Sequence, residues 1–206
     1  MKSTTALGAI LCAGFATSAL AQTASFTVVP SVNTIDATNT TVFTVDVFAS
    51  ADFGTHISGG AFGFDSIDGG GAVSDIQGGA QPWAAVGENN FGYAGNGDHN
   101  GLVFGQVIFP PFFPPASETA LSGGPVLVAS FQFSLFAGAL DRLEVNLTTL
   151  DSAPFALEIF DENTGSFTQI SNQDIQLGSF VVQIPAPSAT ALFGLAALGA
   201  TRRRRS

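Results

Sequence analysis

PVLVASFQFSLFA, residues 125–137, is the stretch on which the fold turns. Phe131, Phe133 and Leu135 fall on one side of an extended chain, and Gln132 and Ser134 fall on the other. That period of two is the mark of a strand with one face packed inward. It is the longest such run in the chain. TTVFTVDVFA, residues 40–49, repeats the pattern, with Phe43, Val45 and Val47 alternating with Thr44, Asp46 and Phe48.

Further strands read outward from these two. They are residues 25–30, 57–65, 102–109, 143–150, 155–160, 166–170 and 177–184, with a short one at 72–76. Glycines inside ISGGAFGFD, residues 57–65, predict a bulge or a close approach of backbones. Asp161-Glu162-Asn163-Thr164-Gly165 predicts a hairpin turn. The prolines of PPFFPP, residues 110–115, lack ladder donors and exclude an inner strand there. Residues 81–101 read as loop. About ten short strands separated by turn signals predict an all-β fold, a single antiparallel β-sandwich over residues 22–184.

Composition agrees. Twenty phenylalanines stand against one tyrosine and one tryptophan. All 16 acidic residues lie from Asp36 to Asp174, where the one base is Arg142, so that stretch carries −15. A surface of that sign repels nucleic acid, so no nucleic-acid partner is expected.

The two ends read as targeting segments. Residues 1–21, MKSTTALGAILCAGFATSALA, have one lysine, an apolar stretch and an A-x-A site at Ala19 and Ala21. This is the pattern of a secretory signal peptide, with the mature chain beginning at Gln22. Cys12 is the one cysteine and would leave with it, so no disulfide or thiol nucleophile is expected. The last 22 residues, PAPSATALFGLAALGATRRRRS, have three parts. Pro185, Ala186, Pro187 and Ser188 end the preceding strand. Residues 189–201 are uncharged and predict a short hydrophobic helix. Arg202, Arg203, Arg204 and Arg205 favour the cytoplasmic side of a membrane. From residue 188 to 201 a helix rises about 21 Å. That falls short of a hydrocarbon core of about 30 Å.

This tail resembles the tripartite PEP-CTERM sorting signal of exported bacterial proteins, with Ala186 where that family most often has glutamate. The resemblance implies secretion machinery and an exosortase-type processing enzyme as partners, and a transient hold on the inner membrane through residues 189–201. A second resemblance covers residues 40–184. The F-x-V-D-V strand at Phe43, the L-x-A-x-F-x-F strand at Leu127 and the closing strand are similar to cohesin-like and carbohydrate-binding sandwiches.

Candidate ligand residues lie in the loop-rich region. Asn96, Asp98 and Asn100, with Gly97 and Gly101, match the start of a calcium loop, oxygen ligands at alternate positions. The twelfth position is Val107 rather than glutamate, and a solvated Asn/Gly turn is the competing reading. No other cofactor is expected. Trp83 and Tyr93, with Phe91, form either a sugar-stacking platform for an extracellular polysaccharide or a cap on the sandwich end. Phe112 and Phe113 form either an exposed contact patch or a loop folded over a sheet edge. His56 and His99 are the only histidines, and no nucleophile motif accompanies either, so no catalytic residue is assigned. The sequence reading is an exported, non-catalytic surface or matrix protein. A carbohydrate- or calcium-binding module is the alternative, and an acid-based hydrolase the third reading.

Overall fold

A computed structural model describes residues 23–35, 42–116, 124–136 and 142–184. The expected signal peptide and the tail from Pro185 onward lie outside the described residues. Thirteen strands follow in order: β1 Ala24–Pro30, β2 Val42–Ala51, β3 His56–Asp68, β4 Val73–Ala80, β5 Asn89–Asn90, β6 Tyr93–Gly95, β7 Asp98–Gly105, β8 Val126–Leu135, β9 Arg142–Thr148, β10 Leu157–Asp161, β11 Ser166–Ile170, β12 Ile175–Leu177 and β13 Ser179–Gln183. Three short strands, β5, β6 and β12, account for the excess over the expected ten. They are too brief for a period of two to show.

Two sheets face each other. The first has the order β12-β1-β2-β8-β4. The second runs β11-β10-β3-β7-β5, with β9 also on β3, β13 on β9 and β6 on β7. Pairing is antiparallel throughout except between β1 and β12, which run parallel. The quoted stretch is β8, second from the edge of the first sheet. Phe131, Phe133 and Leu135 are buried there as the alternation requires. Among the described residues no helix is long and apolar enough to cross a membrane.

The core between the sheets is aromatic. Phe26, Phe43, Phe131 and Phe133 descend from the first sheet, and Phe62, Phe64, Phe104 and Phe180 rise from the second, all at most 4% exposed. Rings meet across the gap, mostly edge to face. Phe64 lies 5.0 Å from Phe131 and 5.5 Å from Phe133, and Phe133 lies 5.5 Å from Phe180. Such contacts add about 0.5–1.5 kcal/mol each beyond the area buried.

β3 carries the second sheet. Its first half pairs with β10, its middle with β7 and its last part with β9. The register shifts that make this possible fall between Phe62 and Phe64 and between Ser66 and Asp68. The expected bulge is therefore present, and so is the close approach. A Cβ on Gly60 would stand 2.7 Å from the Ala156 carbonyl oxygen and 2.9 Å from the Phe104 ring.

His99 on β7 is buried against the Phe64 and Phe131 rings, 6.1 and 5.1 Å between centroids. Gly101 N–H donates to its Nδ1 at 3.1 Å, which leaves the proton on Nε2. That nitrogen is buried with no partner among the described residues. Burial holds the imidazole pKa below its ordinary value. The unfolded chain therefore takes up this proton first as pH falls. The neutral form costs nothing above about pH 6.5, and stability drops below it, by at most about 1.4 kcal/mol per pH unit until the folded pKa is passed.

Two predictions follow from this packing. Gly60→Ala lowers stability by about 1–3 kcal/mol in denaturant melts, whereas Gly71→Ala, with nothing within 4 Å, leaves it unchanged. The melting temperature falls as the pH drops below about 6.5, and His99→Asn, which keeps an acceptor for Gly101, flattens that slope.

Candidate docking surface

After β7 the chain leaves the sheet. Gln106 holds the exit, its N–H donating to the Ser58 carbonyl at 2.8 Å and its Nε2 to that of Ile57 at 2.7 Å. Prolines then prevent the next residues from joining a ladder. They close on themselves instead: Phe109 N–H donates to Phe113 O at 2.8 Å, and Phe113 N–H to Phe109 O at 2.9 Å. The Pro110–Pro111 bond within this turn is cis. With the backbone satisfied locally, the side chains are left outside. Phe112 is 73% exposed, Phe109 62% and Phe113 56%. The Phe109 and Phe112 rings stack, 6.0 Å apart and 14° from parallel.

A fourth exposed ring faces this turn from the β10–β11 hairpin. Phe167 on β11 packs against Phe160 on β10 at 4.9 Å. Between the hairpin and the proline turn lies a groove of about 540 Å³, lined by Ile108, Phe109, Pro110, Phe160, Glu162 and Phe167. Burying one phenylalanine is worth about 1.5–3 kcal/mol, so four exposed rings on the turn and hairpin leave a large apolar area facing solvent.

Carboxylates stand on the strand and turn beside the groove. Glu162 lines the groove itself. Glu158 accepts from Ser58 Oγ and Gln169 Nε2. Asp161 accepts from the backbone N–H of Asn163 and from the side chains of Asn163 and Thr164. The Asn163 N–H above all holds its pKa below the ordinary carboxylate value. Arg142, the only Lys or Arg among the described residues, pairs elsewhere with Glu144.

The ligand candidates singled out in the sequence lie elsewhere, Trp83, Tyr93 and Asn96 before β7 and Asp98 and Asn100 on it. Asn96 and Gly97, both at positive φ (52° and 83°), form the two-residue turn between β6 and β7. This is the asparagine–glycine hairpin geometry, a signal the loop reading of residues 81–101 passed over. Asp98 Oδ1 accepts from Ser66 N–H at 2.8 Å, and Asn100 Nδ2 donates to Phe91 O at 3.4 Å. Among the described residues no three His, Cys, Asp or Glu side chains stand together as a metal site would need. Trp83 packs against the core and donates from Nε1 to Leu127 O at 3.2 Å. Tyr93 also packs on the core, and its hydroxyl donates to Val73 O at 2.6 Å. Phe91 is apart, beside a hollow with Phe104 and Phe155.

Sequence reasoning weighed Phe112 and Phe113 as either a contact patch or a loop folded over a sheet edge, and passed over Phe109, Phe160, Glu162 and Phe167. The available signal was Ser166–Ile170, where a phenylalanine stands among polar residues in a strand whose apolar anchor is Ile170.

Comparison with known proteins bears on the fold. No protein family matches the chain by sequence, and no curated protein is similar to it. Solved structures are similar in fold. The seventh ScaB type I cohesin from Pseudobacteroides cellulosolvens superposes with a TM-score of 0.50 at 10% identity, covering 81% of this chain and 94% of that one. A type I cohesin–dockerin complex, Coh-OlpA-Doc918 from Clostridium thermocellum, gives 0.48 at 6% identity, covering 78% and 99%. A type II cohesin domain from the cellulosome of Acetivibrio cellulolyticus gives 0.47 at 14%, covering 78% and 95%. The expected partners are corrected here. These neighbours are cohesins, one of them solved with a dockerin, which is a protein. The expectation of secretion machinery, an exosortase-type enzyme, the inner membrane through residues 189–201 and an extracellular polysaccharide is withdrawn. At these identities the likeness is one of architecture: the chain has a cohesin-like β-sandwich fold.

Proposed function

We propose that this chain is a non-catalytic protein-binding module of an exported bacterial protein, and that the surface around Phe109, Phe112, Phe113 and Phe167 receives its partner. The exposure of those four rings, with Phe109 and Phe167 lining one groove and Phe112 and Phe113 on the turn beside it, is the observation that carries the reading. The groove offers apolar area with carboxylates beside it, the make-up of an interface core with a polar border. Among the described residues it brings together no nucleophile, base and orienting group. Cohesins seen with dockerins support a protein as the class of partner.

Residues 1–21 act as the export signal in this reading. Residues 185–206 act as a PEP-CTERM-type sorting signal that brings the module to the cell surface. The excess of acid over base keeps such a module soluble and sets it against anionic partners.

Both parts are open to test. A photo-crosslinking phenylalanine at position 112, in the native host, is expected to trap a protein of defined mass. The same probe at Leu177, on the far sheet, is expected to trap none. Absence of an adduct from 112 overturns the docking surface. Intact-mass analysis of the surface-exposed protein is expected to show a chain that begins at Gln22 and lacks Arg202, Arg203, Arg204 and Arg205. Retention of the arginines overturns the sorting role.

A further inference from the structure

We propose that the partner adds an extended strand to the free edge of β11, beside the phenylalanine groove, and that this strand is basic. The inference rests on the protein-binding reading and names the form and charge of what binds.

Among the described residues β11 stands at the end of the second sheet with β10 as its one neighbour. Five residues pair with β10 in unbroken register, from Ile170 against Leu157 to Ser166 against Asp161. Along such an edge alternate residues turn N–H and C=O outward, a ready template for another chain. Natural edges are blunted by lysine, proline, bulges or covering loops. β11, Ser-Phe-Thr-Gln-Ile, has no lysine, proline or bulge.

The other edges are treated differently. β4 has a register shift and is capped by the loop before β6. Asn90 Nδ2 donates to Gly78 O at 2.6 Å, and Ala80 N–H donates to Glu88 Oε1 at 3.2 Å. The end of β13 is covered by residues 33–35, through Ile35 N–H to Gln183 O at 2.8 Å and Gln183 N–H to Asn33 O at 2.9 Å. β5 and β12 have two and three residues. Among the described residues β11 is the edge that borders the exposed rings.

Side chains at that edge say what fits. Phe167 and Gln169 stand on the face that continues into the groove, against Phe160 and Glu158. An added strand would place every second side chain over Phe167 and Phe109, so those positions are apolar. Glu158, Asp161 and Glu162 lie on the neighbouring strand and turn, and no described base offsets them. The added segment therefore carries lysine or arginine at its ends. Charge also rules against a second copy of this chain as the occupant, because each would bring −15 between Asp36 and Asp174.

The test uses synthetic alternating valine/threonine heptapeptides with lysine at both ends, titrated into the full domain. Two further versions are N-methylated on one or the other alternate set of amides. Strand addition uses one set only, so one methylated peptide should lose binding and the other should keep it. Amide exchange should slow at alternate residues of β11 on binding. Phe167→Ser should weaken binding at least tenfold with an unchanged circular dichroism spectrum, and glutamate-ended peptides should bind at least tenfold more weakly than lysine-ended ones. Equal binding by both methylated peptides overturns strand addition, as does no binding at about 1 mM. A dimer of the domain alone, held through β11, overturns the basic partner. If crosslinking at position 112 succeeds while the peptides fail, the docking surface stands and the strand does not.

Discussion

Ring-on-ring contact between the two sheets is what the rest of the molecule depends on. Phe64 and Phe133 sit at its centre, each meeting several other rings from both layers. Edge-to-face rings of this size set the spacing of the sheets. Where backbones press closely behind them, side chains have to be absent. This is why β3 carries Gly59, Gly60 and Gly63, each with backbone atoms of a neighbouring segment where a Cβ would be. It also explains the position of His99. A ring was needed against Phe64 and Phe131, and an imidazole supplies one along with an acceptor for Gly101.

Much of this architecture was legible before any coordinates. β2 and β8 each bury one face, and a period of two survives any context in which one side is wet. The β10–β11 hairpin announced itself through Asp161 to Gly165. The interior of β3 was harder, because a strand buried on both faces shows no alternation, and only its glycines hinted at crowding. The region from Gln81 to Gly101 misled for another reason. Its asparagines and glycines are turn formers, and the same residues that resemble a ligand loop also build a tight hairpin. Nothing in the sequence says that Asp98 is occupied by the Ser66 amide.

The docking surface could be read only in part. Phe112 and Phe113 stand out among prolines, but Phe167 lies 54 positions beyond Phe113 in the numbering and on a different element. The sheet order brings the proline turn and the hairpin to one groove, and no local pattern encodes that order. Likewise, the composition revealed an acidic chain, but the fold decides which carboxylates border the exposed rings.

The length of β3 has a consequence for presentation. Thirteen residues at about 3.3 Å each make a strut of roughly 40 Å. The phenylalanine groove sits at the His56 end, where Gln106 clasps Ser58 and Phe160 pairs with His56. The last described residue, Ile184, follows Gln183, which lies beside Arg142 near the Asp68 end. Ile184 therefore lies at the pole opposite the groove. The full length of β3 separates the two, with the exposed rings at one end of the strut and the last described residue at the other.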